Sequence, residues 1–91
     1  MSARLVVLIS GNGSNLQAIL DACVSGELNA EVVAVISNKA DAYGLVRAQN
    51  AGVEAVHFQK QENESRQEYD SRLEKIVSTY FPDYVILAGW M

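Results

Sequence analysis

Hydrophobic positions along the chain fall into two alternating rhythms. Residues 5–9, Leu5-Val6-Val7-Leu8-Ile9, form a short uninterrupted run, the pattern of a strand buried on both faces of a parallel sheet. After residues 10–15 the period changes. Leu16, Ile19, Leu20 and Cys23 fall at i, i+3, i+4 and i+7, one stripe of a helix, and Ser14-Asn15-Leu16-Gln17 reads as a capping box with Ser14 at the N-cap. Gly26 closes that helix as a left-handed C-cap, and residues 31–36, Glu31-Val32-Val33-Ala34-Val35-Ile36, read as a second buried strand. The strand stops at Ser37-Asn38-Lys39-Ala40-Asp41, where Asp41 is placed to cap a short helix carrying Leu45, Ala48 and Gln49 and ending at Gly52. Residues 52–58 give a weaker third strand and residues 59–64 a polar surface loop. Ser65-Arg66-Gln67-Glu68 is a second capping box, opening a helix with Tyr69, Leu73, Ile76, Val77 and Tyr80 on its inner stripe. Pro82 stops that helix, residues 84–88 form a fourth apolar run, and Gly89-Trp90-Met91 follow.

Alternating strands and helices with right-handed crossovers predict an α/β fold: a Rossmann-like parallel sheet in strand order 3-2-1-4, with helices on both faces. Ligands in such sheets sit at the carboxyl ends of the strands, where the order reverses. Here that point lies between the first and fourth strands, so residues 11–15 and 89–91 flank one crevice. The Gly-rich turn opens a helix whose first N–H groups lack internal partners and carry the positive end of the macrodipole, a place for an anion. The glycines at 11 and 13 let that anion approach closely. A plain chain reversal between strand and helix is the alternative. The dinucleotide fingerprint needs a third glycine where Leu16 stands, which disfavours nicotinamide and flavin dinucleotides. Asn12, Ser14 and Asn15 add side-chain donors that suit the phosphate monoester of a small metabolite. Gly89 with Trp90 and Met91 reads either as the floor of a site for a flat or apolar group or as another reversal.

Composition narrows the partners. Ninety-one residues allow one domain at most, and a domain this small buries about 60 to 65% of its unfolded surface. A hydrophobic fraction of 49% with 20% charged residues excludes a disordered or low-complexity chain. The net charge of -4, with no cluster of Lys or Arg, argues against nucleic acid as the main partner but is compatible with one bound phosphate. The single cysteine, Cys23, has no internal disulfide partner and reads as a small core residue. The apolar run near the N-terminus is too short for a signal peptide or a membrane span, so the cytoplasm is the expected compartment and no membrane is expected as a partner. His57, the one histidine, has no companion at motif spacing and is read as structural. Arg66 and Asp70, at i and i+4, read as a surface pair worth about 0.3 kcal/mol. No metal site is assigned.

Three motifs together carry a resemblance: Ile9-Ser10-Gly11-Asn12-Gly13-Ser14-Asn15-Leu16-Gln17-Ala18-Ile19, Ser37-Asn38-Lys39-Ala40-Asp41-Ala42-Tyr43-Gly44-Leu45, and Leu87-Ala88-Gly89-Trp90-Met91. In order and spacing the chain resembles, from residue 5 to residue 91, the N-terminal half of the phosphoribosylglycinamide formyltransferase family. The resemblance implies transfer of a formyl group from 10-formyltetrahydrofolate to glycinamide ribonucleotide, a step of purine biosynthesis. It implies that Gly13, Ser14 and Asn15 bind the phosphoribosyl substrate, with Gly89 across the crevice, and that Arg66 and Met91 belong to the folate side. Family members usually have Phe where Trp90 stands. The family's Asn, its general-acid His and its Asp lie beyond Met91, and His57 does not match that His, so no catalytic residue is assigned. Residues 1–91 are then expected to be the N-terminal half of the formyltransferase domain, truncated after the fourth strand and without turnover alone. The fourth strand would be an apolar sheet edge, a template for self-association. A non-catalytic module that binds a phosphorylated metabolite is the alternative reading.

Overall fold

The computed structural model describes residues 2–90. Among them are strands β1 (Ala3–Ile9), β2 (Ala30–Ser37), β3 (Glu54–His57) and β4 (Tyr84–Leu87), and helices α1 (Ser14–Ser25), α2 (Tyr43–Asn50) and α3 (Arg66–Ser78). All pair in parallel in the order β3-β2-β1-β4, as the alternation of rhythms predicts. Val6, Val7 and Ile9 of the central strand are wholly buried, which explains why that segment is apolar at every position.

The sheet separates two cores. On one face Leu5, Val7 and Ile9 meet Leu16 and Leu20 of α1 and Leu45 and Ala48 of α2, with Cys23 packed alongside. On the other, Val6 and Leu8 meet Ala34, Ile36, Phe58 and the α3 residues Tyr69 and Leu73, with Ile76, Val77 and Tyr80 at the margin. Helices therefore cover both faces. The β1–β2 register slips between Leu5 and Val6, so that Leu5 pairs with Val32 and Val6 with Ala34. This bulge puts the consecutive residues Val33 and Ala34 on the α3 side together.

The helix ends follow the sequence signals in part. Ser65 caps α3 as a full capping box: its side chain accepts from the Glu68 N–H at 3.1 Å and the Glu68 carboxylate accepts from the Ser65 N–H at 2.9 Å. Gly26 ends α1 at φ 86°. Two expected caps are overturned. Ser14 lies inside α1 and not at its N-cap, because Gly13 takes the left-handed conformation at φ 80° and starts the helix one residue earlier. The Gln17 side chain, expected to complete that box, donates to Asp21 and accepts from Arg47. Asp41 does not cap α2: the N-cap is Ala42, buried in the first core and without a capping side chain. Just past the end of α3, Arg4 of β1 donates from Nη2 to the Tyr80 carbonyl at 2.6 Å and from Nε to the Phe81 carbonyl at 3.1 Å, and so ties the turn that follows the helix to the start of the central strand. Asp83 exchanges two 2.7 Å bonds with the Arg4 backbone and aligns β4 beside β1.

Candidate functional site

The carboxyl ends of β1 and β4 flank the point where strand order reverses, and the residue 10–15 loop rises there into α1. Ser10 is buried at its base, while Gly11, Asn12, Ser14 and Asn15 are exposed. Gly13 and Gly11 differ in kind. A Cβ on Gly13 would stand 2.7 Å from the Gly44 Cα, and its φ of 80° disfavours any side chain. The fold alone therefore requires glycine at 13. A Cβ on Gly11 would meet no heavy atom within 4 Å, and its φ lies outside the left-handed region, so packing does not ask for glycine there.

Helix α2 closes on this loop from the side. The Gly44 N–H donates to the Gly11 carbonyl at 3.1 Å, and a Cβ on Gly44 would run into Ile9 Cδ1 at 2.1 Å. Arg47 donates from Nε to the Asn12 carbonyl at 2.9 Å, from Nη2 to Asn12 Oδ1 at 2.7 Å and from Nη1 to Gln17 Oε1 at 3.2 Å. Its guanidinium lies 4.8 Å from the centroid of the Tyr43 ring. Sequence reasoning passed over both Gly44 and Arg47. The signal was present in a buried-face position of α2 occupied by Gly and in a cation one turn further on, but neither residue type announces its partner.

Gly13, Ser14 and Asn15 thus stand together at the start of α1, and Gly89, at φ 85°, follows β4 at the same edge of the sheet. Beside it Trp90 packs half-buried against the α3-side core. Arg66 opens α3, which reaches that edge on the opposite face, and pairs with Asp70 at 3.3 Å with both side chains exposed. Met91 lies outside the described residues. His57 is exposed at the end of the outer strand β3, beside Ser37. Burial raises the pKa of the Cys23 thiol, which keeps it a neutral packing group.

Elsewhere, a hollow of about 310 Å³ lies at the opposite, amino end of the sheet, lined by Leu20, Cys23, Val32 and Val53 among others and remote from the loop. Among the described residues there is no cluster of three or more His, Cys, Asp or Glu placed to hold a metal ion, and no helix is long and apolar enough to cross a membrane.

Comparison with known proteins gives the same three segments a context. The family model described as formyl transferase matches residues 3–91. The phosphoribosylglycinamide formyltransferase of Escherichia coli is 52% identical over 88 residues, which make up 97% of this chain and 42% of that protein. The crystal structure of glycinamide ribonucleotide transformylase 1 from Symbiobacterium toebii superposes with a TM-score of 0.95 at 49% identity, over 99% of this chain and 42% of the other. The phosphoribosylglycinamide formyltransferase of Coxiella burnetii, solved with CHES, superposes at 0.91 and 45% identity, over 100% of this chain and 43% of its own. The chain thus spans less than half the length of these relatives.

Proposed function

The chain belongs to the formyl transferase family, and on that premise we propose that it forms the phosphoribosyl-binding part, residues 1–91, of a phosphoribosylglycinamide formyltransferase. The reaction is formyl transfer from a folate-type donor, 10-formyltetrahydrofolate, to the amine of glycinamide ribonucleotide. One observation carries the reading: the exposed turn at residues 11–15 joins a buried strand to a helix N-terminus at the sheet's reversal point, in a chain 52% identical to a relative named for that substrate.

In this reading Gly13, Ser14 and Asn15 hold the substrate's phosphate through backbone N–H groups and two side-chain donors, and Gly11 leaves room for it. Gly89 lines the other wall of the crevice. Arg66 and Met91 serve the folate, with Arg66 offering its guanidinium to a carboxylate in place of Asp70. The protein works in the cytoplasm. In residues 1–91 alone the β4 edge is a surface for self-association, since Tyr84, Val85 and Leu87 are exposed there.

Phosphate contacts bind substrate and transition state about equally, so this part of the protein lowers the Michaelis constant without accelerating the chemistry. Proton handling is worth about 10² to 10⁴ in rate, and one oxyanion donor about 10² to 10³. The residues matched here make up 42% of the Escherichia coli relative, and turnover is expected to need the remaining length. The test is the change in folate absorbance with 10-formyltetrahydrofolate and glycinamide ribonucleotide, for residues 1–91 alone and fused to the remainder of that relative. Activity only in the fusion is expected. A fusion that folds and turns over a different amine, leaving glycinamide ribonucleotide untouched, would refute the proposal.

A further inference from the structure

Resting on the reading of residues 11–15 as a phosphate loop, we propose that Arg47 is a positioning residue for it: it ties down the Asn12 carbonyl from the α2 side and so turns the Gly13 amide, which shares that peptide plane, toward the anion. Two peptide planes are involved. The Gly11 carbonyl accepts from the Gly44 N–H at 3.1 Å, and the Asn12 carbonyl accepts from Arg47 Nε at 2.9 Å. Among the described residues every peptide bond is trans, and in a trans peptide the C=O and N–H of one plane point in opposite directions. With both carbonyls drawn toward α2, the N–H groups sharing their planes, those of Asn12 and Gly13, face away from it. That is the open side of the loop. Gly13 then turns left-handed at φ 80° and α1 begins, so amides from successive residues form the kind of concavity that binds anions.

Only one of these two ties is made by a side chain. Gly44 holds the first plane with its own backbone, which any residue that fitted there would supply. The second depends on a planar fork that reaches the Asn12 carbonyl, Asn12 Oδ1 and Gln17 Oε1 at once, 2.9, 2.7 and 3.2 Å away. A lysine ammonium is a point donor on a flexible stem and cannot reproduce that fork. The Tyr43 ring, 4.8 Å from the guanidinium, holds the fork in its plane. Arg47 also bridges α2 to the first turn of α1 through Gln17, so the loop and the helix it opens are held as one unit.

The experiment titrates glycinamide ribonucleotide into the 15N-labelled 91-residue chain and follows the amide resonances, for wild type, Arg47→Lys and Arg47→Gln. Arg4→Lys makes the same chemical change just past the end of α3, remote from the loop. Saturable shifts at residues 11–16 are expected in wild type. Both Arg47 variants should bind about tenfold more weakly or worse, with the unliganded Asn12 and Gly13 amides already displaced and exchanging faster, while Arg4→Lys keeps wild-type affinity. Lysine preserves the charge, so failure of Arg47→Lys to rescue separates the fork from simple attraction. Tyr43→Leu removes only the ring beneath the guanidinium and should weaken binding roughly threefold, which keeps the inference testable if the Arg47 variants do not fold. Arg47→Lys binding within about twofold of wild type, or Tyr43→Leu binding like wild type where the Arg47 variants are unfolded, would overturn the role of Arg47 and leave the phosphate loop standing. Absence of any saturable change in wild type would overturn the loop reading and the inference with it.

Discussion

Arg72 shows how a polar residue organises a loop that has little apolar material of its own. It lies on α3, 4.4 Å from the centroid of the Phe58 ring and 6.0 Å from that of Tyr69, and donates to Glu64 from Nε and, at 2.6 Å, from Nη2. Tyr69 in turn donates its hydroxyl to the Phe58 carbonyl at 2.6 Å, and burial raises its pKa. The hydrogen bond from Arg72 is the largest of the effects that bring the Glu64 carboxyl from 4.5 down to about 2, and the Gln61 N–H adds to it. A carboxylate whose folded pKa is depressed contributes stability above its unfolded pKa and loses it as pH falls toward the folded value. Thermal unfolding should therefore show Glu64 helping at neutral pH and its contribution fading from about pH 4.5 to about pH 2. Glu64→Gln should lower the melting temperature at pH 7, and the gap to wild type should close across that window. A gap of constant size down to pH 2 would mean that the ion pair is not what the carboxylate supplies.

At the scale of elements, α1 and α2 approach each other through backbone where one expects side chains. Gly13 and Gly44 form that contact, and either Cβ would displace something: the Gly44 backbone in one case, the buried Ile9 side chain in the other. For Gly13→Ala the left-handed φ costs about 1 to 2 kcal/mol, and the overlap about 1 to 3 more. In a domain of this size that corresponds to a fall in melting temperature of roughly 10 °C or more. Gly11→Ala meets open space and should change stability by no more than about 0.5 kcal/mol. Differential scanning calorimetry of the pair tests the contact directly, and equal melting temperatures for the two variants would contradict it. The comparison also guards against misreading Gly13 variants, since loss of ligand binding there follows from loss of the helix junction alone.

For the whole molecule, the parallel order leaves β3 and β4 as the sheet's margins, and they are not alike. Both are four residues long, but the exposed positions of β3 are the polar Glu54 and His57, whereas β4 exposes Tyr84 at 64%, Val85 at 47% and Leu87 at 65%, with Phe81 at 78% just before it. An apolar strand with unpaired N–H and C=O groups on one side is a template for another strand. The 91-residue chain should sediment as dimers or larger species at tens of micromolar, and Leu87→Lys should return it toward the monomer. A monomeric profile for the unaltered chain at that concentration would dispose of the idea.

The sequence alone determined which segments are strands and helices, because each has one dominant periodicity, and it determined the order 3-2-1-4, because right-handed crossovers between parallel strands leave few alternatives. It also located the residue 10–15 turn at the reversal point and the capping box at Ser65, both written in adjacent residues. Where two local patterns competed it misread the outcome. Ser14 has the spacing of a cap, but Gly13, left-handed and packed against Gly44 where no side chain fits, takes the N-cap position; Asp41 has the chemistry of a cap, but Ala42, buried against the first core, is the N-cap of α2. The bulge at Val33, the grip of Arg4 on the turn after α3 and the clasp of Arg47 on Asn12 were decided by tertiary structure alone. Each joins residues far apart in the chain through hydrogen bonds or packing, and periodicity along one segment carries no information about a partner that only the fold brings near.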